Sequence, residues 1–319
     1  MGRISRAALI AATLAPLGCL AAAQERTFTV DVRLVRLLAA VQDDHGKPAG
    51  DLNKDDFTVY DNGVKQDVSV FERYTQQPLS VALLVDISGS TAKDLKYEAD
   101  SVSRFLKTLF REGNPLDSCA LFTFNWEVRL RTSFTRNMQR LEHEMRLLRG
   151  EAGTAMYDAI WLASQELEDR EGRKVVVLVT DGGDTYSIKK FDDALRALHH
   201  ADAILYSIVV MPITNDAGRN IGGENALQTL SVNTGGRIFY PSVGSTLDQT
   251  FDDILRDLRT QYYLGYYPHT PPATERFHHV EVKMSRPGLR VLTRNGYYGE
   301  FAATEPPAPS GKRGPRITR

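Results

Sequence analysis

Apolar and polar residues alternate with a period of two in the early part of the chain. The runs FTVDVRLVRLLAAVQ and DFTVYDNGVKQDVSVFE show this alternation, which is typical of β-strands with one buried face. Within the second run, Asp61-Asn62-Gly63 is a strong signal for a tight hairpin turn between two strands. Residues 27–78 are therefore predicted to form β-sheet.

The pattern changes at Leu79, where apolar strands begin to alternate with helical stretches. In the helical stretches apolar residues recur at helical spacing, and this alternation of elements predicts a mostly parallel sheet wound by helices. The predicted strands are 80–86, 118–125, 173–180, 203–210 and 236–240, with a hairpin partner at 127–132. The predicted helices are 92–112, 137–148, 156–169, 189–201, 224–233 and 246–260.

After Gln261 the alternation with a period of two returns, in YYLGYYP, HHVEVKM and LRVLTRNGYYGEF. Neither β segment covers its own apolar face, but together they approach the ~100 residues of an immunoglobulin-like β-sandwich. We predict such a sandwich, made of residues 24–78 and 261–301 and interrupted by an inserted α/β domain at 79–260. Residues 302–319 are rich in Pro and lack apolar periodicity, so they are predicted to be a disordered tail.

The composition excludes one class of partner. The 319 residues include 39 Lys and Arg against 40 Asp and Glu, and 42% of the residues are hydrophobic. These values are ordinary for a globular protein with a sizeable core. Because the charges balance, no overall field attracts nucleic acid or an anionic membrane surface. We therefore expect no nucleic-acid partner.

The N-terminus has the organisation of a secretory signal. Arg3 and Arg6 precede the apolar stretch AALIAATLAPLGCLAAA, which ends in small residues. The stretch contains a Pro and is shorter than the ~20 residues that usually span a membrane, so a retained anchor is the less favoured alternative. We expect residues 1–23 to be a signal peptide that is cleaved after Ala23.

The two cysteines bear on processing and on packing. PLGC resembles a bacterial lipoprotein box with Cys19 as the lipidated residue, although Pro16 stands where Leu is usual. Simple secretion is the favoured expectation, and membrane association would follow only from lipidation of Cys19. Both routes give a secreted, periplasmic or cell-envelope protein. Cys119 is then the only interior cysteine, so no internal disulfide is expected, and its place in CALFTF predicts a small core residue.

Carboxylates and hydroxyls follow the ends of two predicted strands and precede one helix. The first strand ends in Asp86, with Ser88 and Ser90 close behind, while the strand KVVVLVTDGGD ends next to Asp181 and the Gly-flanked loop of GEAGTAMYDAI holds Thr154. In wound α/β sheets ligands lie beyond the carboxyl ends of the strands. Five oxygen donors suit a hard divalent cation such as Mg²⁺ and leave one octahedral position for an outside carboxylate.

These residues resemble the metal-ion-dependent adhesion site of the von Willebrand factor type A (VWA) family, which has the pattern D-x-S-x-S, a later Thr and a later Asp. Here the pattern is read as DISGS at 86–90, Thr154 and Asp181. The resemblance covers about residues 79–260, and the flanking β segments resemble a secreted bacterial subgroup of that family. It implies a six-stranded, Rossmann-like, doubly wound sheet, Mg²⁺ or Mn²⁺ at its edge, and a protein partner that donates an Asp or Glu carboxylate to the ion.

Several residues near these motifs are expected to have structural roles. Capping of the next helix is the alternative for Asp86, but it accounts for one residue and not for five. The roles of Asp158 and Asp184 stay open, with turn formation and solvation of a helix favoured over direct ligation of the ion. The adjacent pairs His199-His200 and His278-His279 point apart on a helix or strand, so no metal role is expected. The tyrosines at 262, 263, 266 and 267 are expected to pack a sheet.

Enzymatic activity is not expected. A hydrolase needs a base beside its nucleophile, and no His falls in the loops that would surround Ser88 and Ser90. The chain also lacks a G-x-S-x-G elbow and has no phosphate-binding loop after a strand. We expect a protein of the cell-adhesion type that binds a protein partner through its divalent cation, with the sandwich as scaffold. The alternatives are an envelope component whose ion stabilises the fold and, less favoured, a hydrolase.

Overall fold

The structure is a computed structural model. It describes residues 34–73, 76–89, 95–150, 152–210, 220–242, 245–270 and 276–299. The predicted signal peptide, Ser90 and the predicted tail lie outside the described residues. No helix in these described ranges is long and apolar enough to cross a membrane.

The elements follow the order that the hydrophobic pattern predicts. The strands are β1 (Val35–Asp43), β2 (Phe57–Asp61), β3 (Val64–Gln66), β4 (Val68–Arg73), β5 (Leu79–Asp86), β6 (Ser118–Phe124), β7 (Val128–Thr135), β8 (Arg173–Thr180), β9 (Ala203–Val209), β10 (Ile238–Phe239), β11 (Tyr262–Tyr266), β12 (Phe277–Met284), β13 (Leu289–Leu292) and β14 (Gly296–Tyr298). The helices are α1 (Leu95–Glu112), α2 (Met138–Arg146), α3 (Met156–Glu168), α4 (Phe191–Ala201), α5 (Ile221–Asn233) and α6 (Ser245–Arg259), and a 3-10 turn spans Lys54–Asp56. Every strand and helix predicted between 80 and 260 is present, with ends that differ by a few residues.

A six-stranded sheet forms the α/β part, in the order β10-β9-β8-β5-β6-β7. The neighbours are parallel except for β6 and β7, which form an antiparallel hairpin. Every residue of β5 is buried, as expected for a central parallel strand with helices on both faces. The chain runs from β5 outward to β7 and then returns to β8 on the other side of β5. The sheet order therefore reverses between β5 and β8, which is where such sheets bind ligands.

Helices cover both faces of this sheet. Apolar side chains of α1, α2 and α6 pack on one face, and those of α3, α4 and α5 pack on the other. In α1, Val102, Phe105, Leu106 and Leu109 are buried, at the spacing of one helix face. Cys119 of β6 is fully buried in the first of these cores, and burial raises the pKa of its thiol to about 12. The prediction that Cys119 is a core residue is confirmed.

The flanking segments form two antiparallel four-stranded sheets, in the orders β13-β1-β11-β4 and β14-β12-β2-β3. Each sheet combines strands from before and after the α/β part, and Leu37 of β1 pairs with Leu264 of β11. One hydrophobic cluster joins the two sheets and includes Leu37, Val59, Leu264 and Val280. The two β segments therefore share both strand pairing and a hydrophobic core.

The predicted hairpin turn connects β2 and β3, because Asp61 pairs with Val64. Asn62 and Gly63 both have positive φ, of 47° and 80°. A two-residue turn with this backbone matches the twist of the strands, and Asn and Gly adopt it at little cost.

The tyrosine cluster after α6 follows the prediction for three of its four members. Tyr262, Tyr263 and Tyr266 are buried in or beside β11, whereas Tyr267 is 50% exposed. The prediction of a packing role was wrong for Tyr267, since this residue follows the last residue of β11.

Side chains also connect the β-sheets to the α/β part. The amide of Gln42 in β1 donates a hydrogen bond of 3.0 Å to Asp257 of α6. Arg294, just after β13, forms an ion pair with Asp202 at the end of α4, with 2.8 Å between the nitrogen and oxygen atoms. These polar contacts fix the β-sheets against α4 and α6, on the side away from the carboxyl ends of the strands.

Candidate functional site

Asp86 is the last residue of β5 and is completely buried. Its Oδ2 accepts a hydrogen bond of 2.6 Å from the hydroxyl of Thr180, the last residue of β8. Its Oδ1 accepts a hydrogen bond of 2.8 Å from the backbone N–H of Ser88. The carboxylate therefore lies between the ends of β5 and β8, at the point where the sheet order reverses.

Burial raises the pKa of the Asp86 carboxyl to about 7. Hydrogen bonds from Thr180 and Ser88 act in the opposite direction, and the negative charge of Asp181 adds to the increase. Asp181 directly follows Thr180, whose hydroxyl contacts Asp86, so the two predicted acids belong to neighbouring strand ends. A cation beside them would offset the cost of burying the charged form of Asp86.

Ser88 is buried beside Asp86, and its side chain hydrogen-bonds to that carboxylate. The turn between them is attached to the neighbouring strand, because the N–H of Ile87 donates to the carbonyl of Phe124 at 2.9 Å. Ser90, the third member of the D-x-S-x-S pattern, lies outside the described residues.

Thr154 lies at the same edge of the sheet, in the loop before α3. Its N–H donates to the hydroxyl of Thr185 at 3.0 Å, and its carbonyl accepts from the N–H groups of Thr185 and Tyr186. The next residue, Ala155, donates its N–H to the carbonyl of Asn125 at the end of β6. These bonds connect the Thr154 loop both to β6 and to the loop that follows Asp181.

Gly153 gives the Thr154 loop its shape. Its φ is +87°, and a Cβ at this position would lie 2.9 Å from the Cβ of Trp126. Side chains other than hydrogen are therefore excluded by both backbone conformation and space. The Gly-flanked environment of Thr154 in the sequence has a direct structural reason.

Asp158 and Asp184 hold the loops around α3. Oδ1 of Asp184 accepts hydrogen bonds from the N–H of Met156, at 2.8 Å, and from the hydroxyl of Ser187, at 2.5 Å. Asp158 accepts from the backbone N–H groups of the two residues after Ser187, at 3.1 and 2.7 Å. The turn-forming role favoured for both acids is confirmed.

The structure adds Thr180 and Asn125 to the residues that sequence reasoning found. Thr180 orients Asp86, and its hydroxyl also accepts from the N–H of Gly182 at 3.2 Å, which positions the loop around Asp181. Asn125 is buried directly after β6. A polar residue at the end of an apolar strand is the signal that could have identified both.

The structure brings some of the five predicted metal-binding residues together but does not describe all of them. Asp86 and Ser88 are in contact, Asp181 follows the strand whose last residue contacts Asp86, Thr154 is joined to the same edge through its loop, and Ser90 is not described. The described residues contain no cluster of three or more His, Cys, Asp and Glu side chains that could hold a metal. The predicted donor set has only two carboxylates, and its other members are hydroxyls.

Fold and site together define a Rossmann-like α/β domain with polar loops at its switch point. Residues 81–183 match the family model of the von Willebrand factor type A domain. The match runs from β5 to the residues just after β8 and covers about a third of the chain. No curated protein matches the chain.

Three bacterial proteins are among the solved structures that match this chain. The vWF domain of the type V pili tip protein Mfa5 from Porphyromonas gingivalis is 14% identical, with a TM-score of 0.48, and the match covers 57% of this chain and 95% of that one. The conserved hypothetical protein BatB from Bacteroides thetaiotaomicron is 18% identical, with a TM-score of 0.45 and coverages of 56% and 98%. The PilB minor pilin from Streptococcus sanguinis is 15% identical, with a TM-score of 0.46 and coverages of 58% and 62%.

Proposed function

We propose that this protein binds a protein partner through a divalent cation and has no catalytic role. The cation would be held by the five residues of the adhesion-site pattern, Asp86, Ser88, Ser90, Thr154 and Asp181. The observation that carries the proposal is the buried carboxylate of Asp86, which lies at the switch point between hydroxyl groups and near a second acid. Protein–protein interaction is also the general role of VWA domains.

The donor set fits Mg²⁺ or Mn²⁺. The donors are all oxygen atoms, which hard divalent cations prefer, and the Ser and Thr hydroxyls would ligate the ion directly. Asp86 and Asp181 would balance its charge, while the bond from Thr180 keeps Asp86 oriented. When bound, the ion would supply positive charge and one open position for an Asp or Glu of the partner. Short Ser and Thr side chains suit a small ion, so Ca²⁺ would bind less well.

We also propose where the protein is located and how its β-sheets support the VWA domain. The signal-like residues 1–23 favour export to the periplasm, the envelope or the medium, with a lipid anchor at Cys19 as the alternative. The two antiparallel sheets would form an immunoglobulin-like sandwich into which the VWA domain is inserted at 79–260. The shared core and the mixed origin of their strands support this arrangement. In this arrangement the candidate metal site would lie on the side of the VWA domain opposite to its contacts with the sandwich.

Calorimetric titration with Mg²⁺ tests the metal site. Ser88→Ala and Thr154→Ala should lose Mg²⁺ binding while the circular dichroism spectrum stays unchanged, because the ion lies at an edge of the fold. Asp55→Ala, which removes an exposed acid in the 3-10 turn before β2, is the matched control. Equal Mg²⁺ affinity in all variants would rule out the site.

A pull-down from envelope extract tests the partner. Proteins captured in Mg²⁺ should be released by chelator. When each surface Asp and Glu of the captured partner is replaced in turn by Asn or Gln, one of these replacements should abolish capture. If Mg²⁺ raises the melting temperature but no acid of the partner matters, the ion is structural. Turnover in a hydrolase panel that disappears in Ser88→Ala would contradict the non-catalytic proposal.

A further inference from the structure

A small cavity lies where the segment after β13 meets the α/β part of the chain. Its volume is about 10 Å³, and its walls include His199 of α4, Ile204 of β9, Thr234 after α5 and Arg294. A volume of this size is near the lower limit for one water molecule. The cavity therefore has room for a single water molecule and for nothing larger.

Two side chains of the cavity wall each have a buried polar atom without a hydrogen-bond partner in the described part of the chain. These atoms are Nδ1 of His199 and Nε of Arg294. His199 is 5% exposed, and the side chain of Arg294 is 12% exposed. Buried polar atoms in folded proteins nearly always have a partner, and ordered water supplies it where protein atoms do not. The two atoms therefore indicate a polar occupant of the cavity.

The two atoms have opposite roles in hydrogen bonding. Nε2 of His199 lies 3.2 Å from the carbonyl of Asn233, and because a carbonyl only accepts, Nε2 carries the hydrogen of the ring. Burial lowers the pKa of His199 to about 4, so at neutral pH the ring is uncharged and Nδ1 is an acceptor. Nε of Arg294 is a donor. The occupant must therefore both accept and donate a hydrogen bond, as a water molecule does.

The charges around the cavity disfavour an ion. A cation would lie against the guanidinium of Arg294, which is already paired with Asp202 at 2.8 Å. An anion would face the lone pair on Nδ1 of His199, and Asp202 also lines the cavity. Thr234 does not need the occupant, because its hydroxyl accepts from the N–H of Leu205 at 3.0 Å and donates to the carbonyls of α5. A neutral water molecule is the occupant that fits both size and charge.

We propose that the cavity is a binding site for one buried water molecule, which accepts a hydrogen bond from Nε of Arg294 and donates one to Nδ1 of His199. The water joins α4 to the segment after β13. It lies beside the ion pair of Arg294 with Asp202, and the N–H of Asn295 donates to the carbonyl of Asn233 at 3.0 Å in the same region. The water is thus part of the contact between the β-sheets and the α/β part, and it does not depend on the proposed metal site.

A high-resolution crystal structure of the whole protein at neutral pH tests the site. Electron density for a water molecule should lie within about 3.2 Å of both Nδ1 of His199 and Nε of Arg294. In solution, NMR relaxation dispersion of the water oxygen counts the long-lived buried waters. His199→Phe, which removes both ring nitrogens, should lower this count by about one. His200→Phe, at an exposed position on the same helix, is the matched control and should leave the count unchanged.

Three other results would each overturn the proposal. A cavity without electron density would show that the two polar atoms stay unpaired. An anomalous peak in the cavity of crystals grown in bromide would identify an anion in place of water. An unchanged count of long-lived waters in His199→Phe would show that no such water bridges to this ring. If His199→Phe does not fold, the crystal structure and the bromide experiment still decide, because neither needs a variant.

Discussion

The hydroxyl of Thr180 donates a hydrogen bond of 2.6 Å to the carboxylate of Asp86, from a position 94 residues further along the chain. The bond joins the ends of β5 and β8 and fixes one oxygen of a carboxylate that is completely buried. It orients the acid at the centre of the candidate metal site without being part of the predicted donor set.

Replacing Thr180 should therefore weaken the site indirectly, through the orientation of Asp86. Thr180→Val keeps the shape of the side chain but removes the donor, so Asp86 loses a partner in a buried position. We expect the free energy of unfolding to fall by about 1–3 kcal/mol, as measured by chemical denaturation, and Mg²⁺ affinity to fall in calorimetry. Thr180→Ser keeps the hydroxyl and should stay close to the wild type. Equal behaviour of the Val and Ser variants would contradict this role.

Gly153→Ala should disrupt the Thr154 loop. The substitution forces a side chain into a backbone with φ of +87° and places its Cβ 2.9 Å from Trp126. We expect a loss of about 1–3 kcal/mol in stability from the strained backbone and weaker Mg²⁺ binding. Gly222→Ala in α5 is the control, since a Cβ there makes only an ordinary contact, at 3.5 Å from Asn220. If both variants bind Mg²⁺ equally well, the geometry of the Thr154 loop is not needed for the ion.

His199 should make stability depend on pH. Its ring packs on Phe277, with 5.1 Å between ring centres, and its Nε2 lies 3.2 Å from the carbonyl of Asn233. Burial lowers the pKa of His199 from 6.5 to about 4, and the charges of Arg294 and His200 act in the same direction. Between these two values the unfolded chain binds a proton that the folded protein excludes. His199 therefore contributes a decrease in the free energy of unfolding as the pH falls from about 6.5 to about 4. The raised pKa of Asp86 contributes with the opposite sign over the same range, so the contribution of His199 is read from the difference between the wild type and His199→Gln.

The size of this decrease is a few kcal/mol, because each unit of pKa difference corresponds to about 1.4 kcal/mol. Denaturant titrations at several pH values in this window would measure it. His199→Gln should reduce the slope, whereas His200→Gln, at an exposed position on the same helix, should keep it. An unchanged slope in His199→Gln would show that another group controls the acid sensitivity.

The α/β part and the N-terminal β segment should differ in their ability to fold when each is expressed alone. Residues 79–262 contain the complete six-stranded sheet and its helices, so they should fold. Residues 24–78 should not fold, because both sheet neighbours of β1 lie in the C-terminal segment and an unpaired half exposes its apolar face. Thermal melting followed by circular dichroism would decide. A cooperative transition in the 24–78 fragment would contradict the interrupted arrangement.

Local patterns in the sequence were sufficient to predict the elements and to identify polar residues at the strand ends. Strands and helices follow from the period of burial, which depends on neighbours a few residues away, and Asn62-Gly63 specified its own turn in the same manner. Asp86, Ser88, Thr154 and Asp181 could be found because polar residues at strand ends interrupt an apolar pattern. Tyr267 shows the limit of this reasoning, since alternation alone does not reveal where a strand stops.

Only the tertiary structure decided which loops meet. The bond between Thr180 and Asp86, the support of Thr154 by Thr185, and the exposure of Trp126 beside Gly153 all join segments that are distant in the chain. Such contacts depend on strand order and helix packing, which bring residues together by burying area on the two faces of the sheet. The hydrophobic period records that a residue is buried. It does not record which residue covers it, because many partners bury the same area equally well.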